Sequence, residues 1–478
     1  MINGKQFVDR IDALQNEVWI EGKRCLDVLS KSAPFKGIIA SKAELYDYQC
    51  CKAQQELFCC TAHDGRKYGF SYHQPQTVED LINRRKATQS WARLNGGLIG
   101  RPPDYMNTLL MTLGTASSHF SKGERPFGEN LKALYELAKS EDLSITHTFV
   151  NPQVNRSISH YLDDKTITAA KVIEENKDGI VVHGAKLLAT QGGLTDELLV
   201  LPSGQIVDES FIFGFMIPSN TKGLRFLCRE SYRYRDSSFD HPLAARFEEV
   251  DSLVVFDHVL IPWDRVILYK DLQVLNDLDA ETGMYAFLQY QAVCRQIVKL
   301  EFLLGLGEAM CDAIQISEFE HVKLKMTEII VSLEIMKALL LSSEVNSELN
   351  QHGTLVPDSK PLRTANNYFA NTYPRLIEIT QLLGASSMIS LPTEEDFASQ
   401  IKGDLGQYLQ GANIGAMERV KLFRVAWDLG MSAFGSRQTQ FERFFFGDPI
   451  RLSTAFYNSY PKQPYHDMVQ NFLDNDKK

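Results

Sequence analysis

Residues 144–150, Ser144-Ile145-Thr146-His147-Thr148-Phe149-Val150, mark the point at which the chain changes character. Before this stretch the apolar residues recur at helical spacing, whereas inside it β-branched and aromatic residues dominate, which favours a strand. Further short runs of strand type follow, separated by turn residues. These runs are 171–176, 179–186, 197–202, 211–218, 223–228 and 253–262. Short strands without helices between them predict an antiparallel barrel or sandwich.

The region before residue 144 is expected to be mainly helical. Thr77-Val78-Glu79-Asp80 has the form of a capping box and predicts a helix that runs to Leu94. The glycines of Asn95-Gly96-Gly97 end this helix.

The next stretch is Gly100-Arg101-Pro102-Pro103-Asp104-Tyr105-Met106-Asn107. Proline fixes φ, lacks a backbone N–H and pushes the preceding residue out of the helical region. Arg101 should therefore lie on an extended or turn backbone, and a new helix should begin near Asp104. A guanidinium and a phenol on so stiff a segment could bind an anion. Taken alone, however, the stretch fits an ordinary loop-to-helix corner with a surface arginine better.

From about residue 285 onward the apolar period is helical again. Four long amphipathic segments predict an antiparallel bundle. They are Leu288–Ile314, His321–Leu341, Leu362–Gly384 and Leu405–Leu429. The aromatic run at 443–449 follows, and we expect it to dock against another part of the protein or a neighbouring subunit.

The sequence thus predicts an α+β protein of three domains. These are an N-terminal helical domain at 1–143, a middle antiparallel β-barrel domain at 144–275, and a C-terminal four-helix bundle plus tail at 276–478.

Composition and charge argue against several functional classes. The net charge is −10 and no run of Lys or Arg is present, so nucleic acid is not an expected partner. The first residues do not form an apolar signal, and no apolar run approaches the ~18 residues that span a bilayer. We therefore expect a cytoplasmic protein without a membrane partner. The eight cysteines lack zinc-site spacing and are expected to be reduced thiols, with no metal bound. No G-x-G-x-x-G run follows a strand, so a Rossmann site is not expected.

The predicted chain begins with helices, continues with a β-domain and ends with a four-helix bundle. This order of domains is that of the acyl-CoA dehydrogenase-like flavoprotein fold. Within that fold the chain resembles the oxygenase (large) component of the two-component flavin-dependent phenol hydroxylases, the 4-hydroxyphenylacetate 3-monooxygenase family. The motifs that carry the resemblance, in the family's order, are Gly100–Asn107, Thr146-His147-Thr148, Asn151-Pro152-Gln153, His183-Gly184-Ala185-Lys186 with Ala189-Thr190, Phe256–Trp263 and Phe446-Gly447-Asp448-Pro449.

The resemblance implies an activity. Reduced FAD, supplied by a separate NAD(P)H-dependent flavin reductase, would react with O2 to give a C4a-hydroperoxyflavin that hydroxylates a phenolic compound ortho to its OH. Arg101, Tyr105 and His147 would be catalytic and would bind the phenol, because a cation and two hydrogen-bonding groups can surround a phenolic oxygen. His147 can change its protonation near pH 7 and is the candidate acid or base. Family members are usually homotetramers built as pairs of dimers, so we expect one here.

The resemblance also implies the remaining site residues. Ser203 and Gly204 lie where the family contacts the acidic side chain of its substrate. Two hydroxyl-bearing residues would suit a carboxylate better than this pair, so a phenol other than 4-hydroxyphenylacetate stays open. Asp257 and His258 resemble a structural turn of the fold and are left outside the site. The expected flavin contacts are His147, Thr148, Phe149, Gln153, Val154, Asn155, Arg156, Thr190, Phe446, Gly447, Asp448 and Pro449.

Three alternatives stay open. A lyase like 4-hydroxybutyryl-CoA dehydratase needs thiolate or His ligands for a [4Fe–4S] cluster, yet no cysteine occurs between Cys60 and Cys228. An acyl-CoA dehydrogenase needs a catalytic carboxylate in the bundle, for which Glu378 or Asp404 could be nominated without specific support. A helical assembly protein without activity would leave the Arg101 and His147 motifs unexplained.

Overall fold

The computed structural model describes residues 1–62, 64–123, 125–154, 167–203, 208–234 and 236–475. Three predicted site residues, Asn155, Arg156 and Gly204, lie outside the described residues.

The N-terminal region is mainly helical, as expected. Its helices are α1 (Gly4–Leu14), α2 (Lys36–Cys50), α3 (Gln55–Phe58), α4 (Val78–Arg93), α5 (Pro103–Thr115) and α6 (Gly128–Glu141). Its short strands are β1 (Val18–Ile20), β2 (Lys23–Arg24), β3 (Cys59–Thr61) and β4 (Lys67–Gly69). The predicted capping box is confirmed, because Thr77 Oγ1 accepts from the N–H of Asp80 at 3.2 Å and Asp80 Oδ2 accepts from the N–H of Thr77 at 2.9 Å. The helix predicted after the two prolines is α5, with Pro102 as its N-cap.

The middle region contains most of the strands. They are β5 (Ile145–Thr148), β6 (Lys171–Glu175), β7 (Gly179–Thr190), β8 (Glu197–Val200), β9 (Phe213–Pro218), β10 (Leu224–Cys228), β11 (Asp251–Pro262) and β12 (Val266–Tyr269), with the short helix α7 (Ala244–Phe247). They form a six-stranded sheet in the order β2-β1-β10-β11-β7-β6 and a four-stranded sheet in the order β12-β9-β8-β5. Strands of both sheets contribute to one apolar core, which includes Ile180, Phe215 and Phe256.

The predicted antiparallel pairing is wrong for two pairs. Among the described strands of these sheets, β1 pairs with β10 and β5 pairs with β8 in parallel, and the other pairs are antiparallel. Between β5 and β8 the chain passes through β6 and β7 of the other sheet, and it therefore re-enters the smaller sheet in the same direction. Strand β1 belongs to the N-terminal region and, together with β2, extends the larger sheet beyond β10. Closure into a barrel stays a prediction.

The C-terminal region is helical. Its elements are α8 (Leu272–Asn276), α9 (Leu278–Thr282), α10 (Met284–Ala313), α11 (Glu320–Val345), β13 (Glu348–Leu349), β14 (Leu355–Val356), α12 (Ser359–Gly384), α13 (Glu394–Phe397), α14 (Lys402–Tyr408), α15 (Ala416–Gly430), α16 (Ala433–Phe444), α17 (Pro449–Ser459) and α18 (Gln463–Asn475). Helices α10, α11, α12 and α15 pack together as the predicted bundle.

The prediction that the fourth segment, Leu405–Leu429, forms one continuous helix is wrong. The chain leaves helical geometry between α14 and α15, where Gly411 and Gly415 lie and where glycine weakens a helix. No helix in the described part of the chain is long and apolar enough to cross a membrane. The domain limits at residues 143 and 275 stay predictions.

Candidate active site

The structure brings Arg101, Tyr105 and His147 together from two distant stretches of sequence. The Arg101 guanidinium lies 4.4 Å from the centre of the Tyr105 ring. The rings of Tyr105 and His147 are 5.9 Å apart and inclined by 29°. The cluster forms where the start of α5 meets β5.

Buried polar groups fix the backbone that carries Arg101. The N–H groups of Gly100 and Arg101 each donate to the carboxylate of Glu249 at 2.8 Å. Gln191 Nε2 donates to the carbonyl of Arg101 at 3.0 Å. A Cβ at position 100 would collide with the ring of Phe441, so the glycine permits the close approach of α16. The two prolines are therefore only part of what holds Arg101 in place.

The guanidinium of Arg101 lies among aromatic rings. The ring of Phe445 lies 4.2 Å away and that of Phe441 5.4 Å away. Among the described residues no carboxylate forms an ion pair with this guanidinium, which donates to the carbonyl of Gly100 at 3.3 Å. Burial lowers the pKa of Arg101, yet an arginine keeps its proton in proteins. A partly buried cation that faces aromatic rings is suited to bind an anion with an aromatic body.

His147 is held in its neutral form. Burial, and then the charge of Arg101, keep its pKa well below the ordinary value. Its Nδ1 is buried and has no hydrogen-bond partner in the part of the chain that the structure describes. The imidazole can therefore accept a hydrogen bond from a bound molecule. Burial also raises the pKa of Tyr105, so its phenol stays protonated and can donate.

Thr190 belongs to a network of buried charges. Its hydroxyl donates to Asp251 Oδ1 at 2.8 Å, and its carbonyl accepts from Thr146 Oγ1 at 2.7 Å. Arg437 contacts both oxygens of Asp251, at 2.7 and 3.0 Å. Although burial opposes it, the charge of Arg437 holds the pKa of Asp251 below its ordinary value. Since the Thr190 proton is committed to a carboxylate, the hydroxyl can offer only lone pairs to a ligand.

The other predicted flavin residues differ in how they are placed relative to the cluster. The ring of Phe149 lies 4.5 Å from that of His147, and Phe446 reaches the cluster through Phe445, whose ring is 4.6 Å away. Thr148 faces into the sheets, because its hydroxyl donates to the carbonyl of Leu187 at 3.0 Å.

The six remaining predicted contacts among the described residues lie at the border of the cluster or outside it. Asp448 caps α17 by accepting from the N–H of Arg451 at 3.0 Å, next to Gly447 and to Pro449 at the first position of that helix. Val154 is 58% exposed, and Gln153 is exposed as well. The hydroxyl of Ser203 donates to the carbonyl of Phe149 at 2.8 Å, beside the His147 segment.

Sequence reasoning missed several residues that build the cluster. Phe441 was not singled out, although it lies four positions before Phe445 and therefore on the same helical face. The sequence gives no sign that Glu249, Asp251 and Arg437 support the cluster, because nothing in it distinguishes them from charged residues on the surface.

A cavity of about 820 Å³ opens between the start of α10, the end of α11 and the start of α12. Asp279, Tyr285, Arg363 and Tyr460 are on its wall. None of the predicted site residues lines the cavity, although Tyr285 on its wall contributes to the raised pKa of Tyr105.

Comparison with known proteins assigns the family. Family models described as 4-hydroxyphenylacetate 3-hydroxylase N terminal and C terminal match residues 3–268 and 275–474. This chain belongs to the 4-hydroxyphenylacetate 3-hydroxylase family. The family predicted from the motifs is confirmed.

Relatives resemble the chain over its full length. It is 47% identical to the probable 4-hydroxyphenylacetate 3-monooxygenase of Bacillus subtilis, over 100% of this chain and 99% of the relative. It is 38% identical to the 4-hydroxyphenylacetate 3-monooxygenase oxygenase component of Thermus thermophilus, over 98% of this chain and 97% of the relative.

Solved structures give the same result. A crystal structure of the oxygenase component of 4-hydroxyphenylacetate 3-monooxygenase, complexed with FAD and 4-hydroxyphenylacetate, superposes with a TM-score of 0.95 at 38% identity, over 100% of this chain and 99% of that chain. An archaeal 4-hydroxybutyryl-CoA dehydratase reaches a TM-score of 0.89 at 16% identity, over 99% of this chain and 95% of that chain, and shows the fold alone. The predicted α+β, acyl-CoA dehydrogenase-like fold is confirmed.

Proposed function

We propose that this protein is the oxygenase component of a two-component flavin-dependent monooxygenase that hydroxylates a phenol ortho to its OH. The observation that carries the proposal is the partly buried Arg101 guanidinium, which lies beside Tyr105 and a neutral His147 and has no ion-pair partner among the described residues. Relatives named for this activity, and a solved relative holding FAD and 4-hydroxyphenylacetate, support it.

The cluster acts on the phenolic oxygen. A positive charge at Arg101 favours the phenolate, and the phenolate ring is electron-rich at its ortho carbons. His147 accepts a hydrogen bond from the phenolic OH at a ring nitrogen, since the imidazole is neutral before substrate binds. The hydroxyl of Tyr105 donates to the same oxygen. When bound, reduced FAD activates O2 so that one oxygen atom can be transferred to the ring.

The chain offers groups that fit a reduced flavin. Thr190 presents only lone pairs, because its proton is given to Asp251, and it therefore suits an N–H group of the reduced ring. Phe149 and Phe446 supply apolar walls beside His147 and Phe445. Contacts from Thr148, Gln153, Val154 and the 447–449 segment remain part of the proposal.

The contacts to the acidic side chain of the substrate are less defined than those to its phenolic oxygen. To donate to a carboxylate, the hydroxyl of Ser203 would have to leave the carbonyl of Phe149, which it now contacts at 2.8 Å. We therefore propose a phenolic substrate without fixing its acidic group. A homotetramer, a cytoplasmic location and an NAD(P)H-dependent flavin reductase as partner complete the proposal.

The decisive experiment supplies the purified protein with FAD, NADH, a flavin reductase and O2, and offers a panel of phenols. We expect a catechol to form from at least one phenol, with consumption of O2 and little hydrogen peroxide. Peroxide as the sole product across the panel would count against the proposal.

Arg101→Ala tests the role of the cluster in the same assay. We expect the variant to fold, to lose coupled hydroxylation and to release peroxide instead, because the phenolate loses its counter-charge. Arg66→Ala is the matched control, since Arg66 is exposed and pairs only with the nearby Asp64 in the described residues. Unchanged catechol formation by Arg101→Ala would remove Arg101 from the site.

A further inference from the structure

A second cluster of polar side chains lies on the exposed face of the six-stranded sheet. It consists of His183 on β7 and of Asp257 and His258 on β11. The two imidazole rings are 4.3 Å apart. Asp257 Oδ1 lies 2.9 Å from His258 Nδ1 and 3.9 Å from His183 Nδ1. One possible ligand atom from each residue lies within 4.8 Å of the other two.

A β-bulge creates this arrangement. Phe256 pairs with Gly184 and Val259 pairs with Val182, so two residues of β11 oppose His183 alone. In a regular strand Asp257 and His258 would point to opposite faces, whereas both are exposed here between two buried neighbours. His258 has a φ of +52°, which costs about 1–2 kcal/mol in a residue other than glycine. The strained backbone at His258 therefore places the side chains of His183, Asp257 and His258 on one face of the sheet.

The donor set suits a metal ion. Two imidazoles and one carboxylate are ligands that divalent transition ions such as zinc prefer. Arg225 Nη2 lies 3.4 Å from Asp257 Oδ2, so the second carboxylate oxygen is oriented away while Oδ1 faces the histidines. His183 Nδ1 is buried and has no hydrogen-bond partner in the described parts of the chain.

We propose that His183, Asp257 and His258 bind a divalent transition-metal ion, with Zn²⁺ as the probe. The three candidate ligand atoms lie within 4.8 Å of one another, and zinc bonds such atoms at about 2 Å. The ion would join β7 and β11, the strands that also carry Thr190 and Asp251. The proposal is independent of the hydroxylation chemistry, because these three residues lie outside the Arg101 cluster.

Titration calorimetry of the full-length protein with ZnCl2, after removal of metals with EDTA, tests the site. We expect one zinc per chain and a higher Tm with zinc present. His183→Ala and His258→Gly should each weaken binding by at least about tenfold and abolish the Tm shift, since removing even an indirect partner of a metal costs that much. Glycine at position 258 also tolerates the positive φ, so that variant should fold.

His466→Ala is the matched control, because His466 is exposed on α18 and should leave zinc binding unchanged. Wild-type protein that binds no zinc, or zinc binding that survives in both variants, would overturn the proposal. Coupled hydroxylation by the variants should match that of the wild type, which separates this test from that of the proposed function.

Discussion

Arg101 and Lys186 are both basic side chains shielded from solvent, Arg101 partly and Lys186 fully, but their surroundings differ. Lys186 lies on the inner face of β7 and donates to the carbonyl of Phe149 at 2.9 Å and to Asn151 Oδ1 at 3.1 Å. Burial lowers its pKa to about 7. A lysine can adapt to burial by losing its proton, whereas an arginine cannot. Arg101 therefore stays a cation that can bind a phenolate, and Lys186 links β7 to the backbone segment after His147.

Replacement of Lys186 by Met should change how stability depends on pH. Between pH 7 and 10.5 the unfolded chain holds a proton at this lysine that the folded chain has lost. The free energy of unfolding of the wild type therefore gains up to about 1.4 kcal/mol per pH unit from this group as the pH rises through that window. Lys186→Met removes this gain, which denaturant titrations at pH 7, 8 and 9 can measure.

Lys177→Met serves as the control, because Lys177 is exposed in the turn before β7. The difference in stability between wild type and Lys186→Met should shift steadily in favour of the wild type as the pH rises. A difference that stays constant across the three pH values would mean that Lys186 keeps its proton when folded.

At the scale of single elements, a buried carboxylate on α16 binds two cations of the bundle. Glu442 accepts from Arg295 at 2.6 and 3.0 Å and also from Lys299, both on α10. Although burial opposes it, the charges of Arg295 and Lys299 lower the pKa of Glu442 to about 2. The same helix carries Phe441 and Phe445, so this ion cluster positions the aromatic rings around Arg101.

Glu442→Gln should lower the free energy of unfolding by about 3–5 kcal/mol, because it leaves two buried cations without their carboxylate. The contribution of Glu442 is complete above pH 4.5 and is lost as the pH falls towards 2, since the folded pKa lies below the unfolded one. Urea titrations near neutral pH measure the loss, and the variant should also show weaker acid sensitivity than the wild type.

Glu301→Gln is the comparison, because Glu301 pairs with Arg93 in a partly exposed bridge. Such a pair contributes about 0–1 kcal/mol. Equal decreases in the free energy of unfolding of the two variants would show that the buried cluster stabilises the fold no more than the partly exposed pair does.

The elements that the sequence predicts correctly depend on local chemistry. The Thr77 capping box and the start of α5 after Pro102 follow from residues within one turn. The parallel pairing of β5 with β8 was not predictable, because it depends on strands that lie between them in sequence and in another sheet. For the same reason, the role of Glu249 in holding Arg101 appears only when residues far apart in the chain are brought together.

At the scale of the whole molecule, the C-terminal tail presents a largely exposed apolar face among the described residues. Tyr465, Met468, Val469, Phe472 and Leu473 recur at helical spacing on α18, and each is more than 50% exposed. Helix α11 also exposes Leu324 and Val331 on its outer side. Faces of this kind are normally covered in a functional assembly. A second copy of the chain is the covering partner that agrees with the proposed homotetramer.

The double substitution Met468→Glu and Phe472→Glu should reduce the mass of the assembly by a factor of about two to four, because two charges on one apolar face disfavour its burial. Size-exclusion chromatography with light scattering measures the mass, and circular dichroism verifies that the helices are retained. Gln470→Glu places a charge on the polar side of α18 and should leave the mass unchanged. If the double variant keeps the wild-type mass, the tail is not the interface, and the apolar side of α11 becomes the surface that holds the copies together.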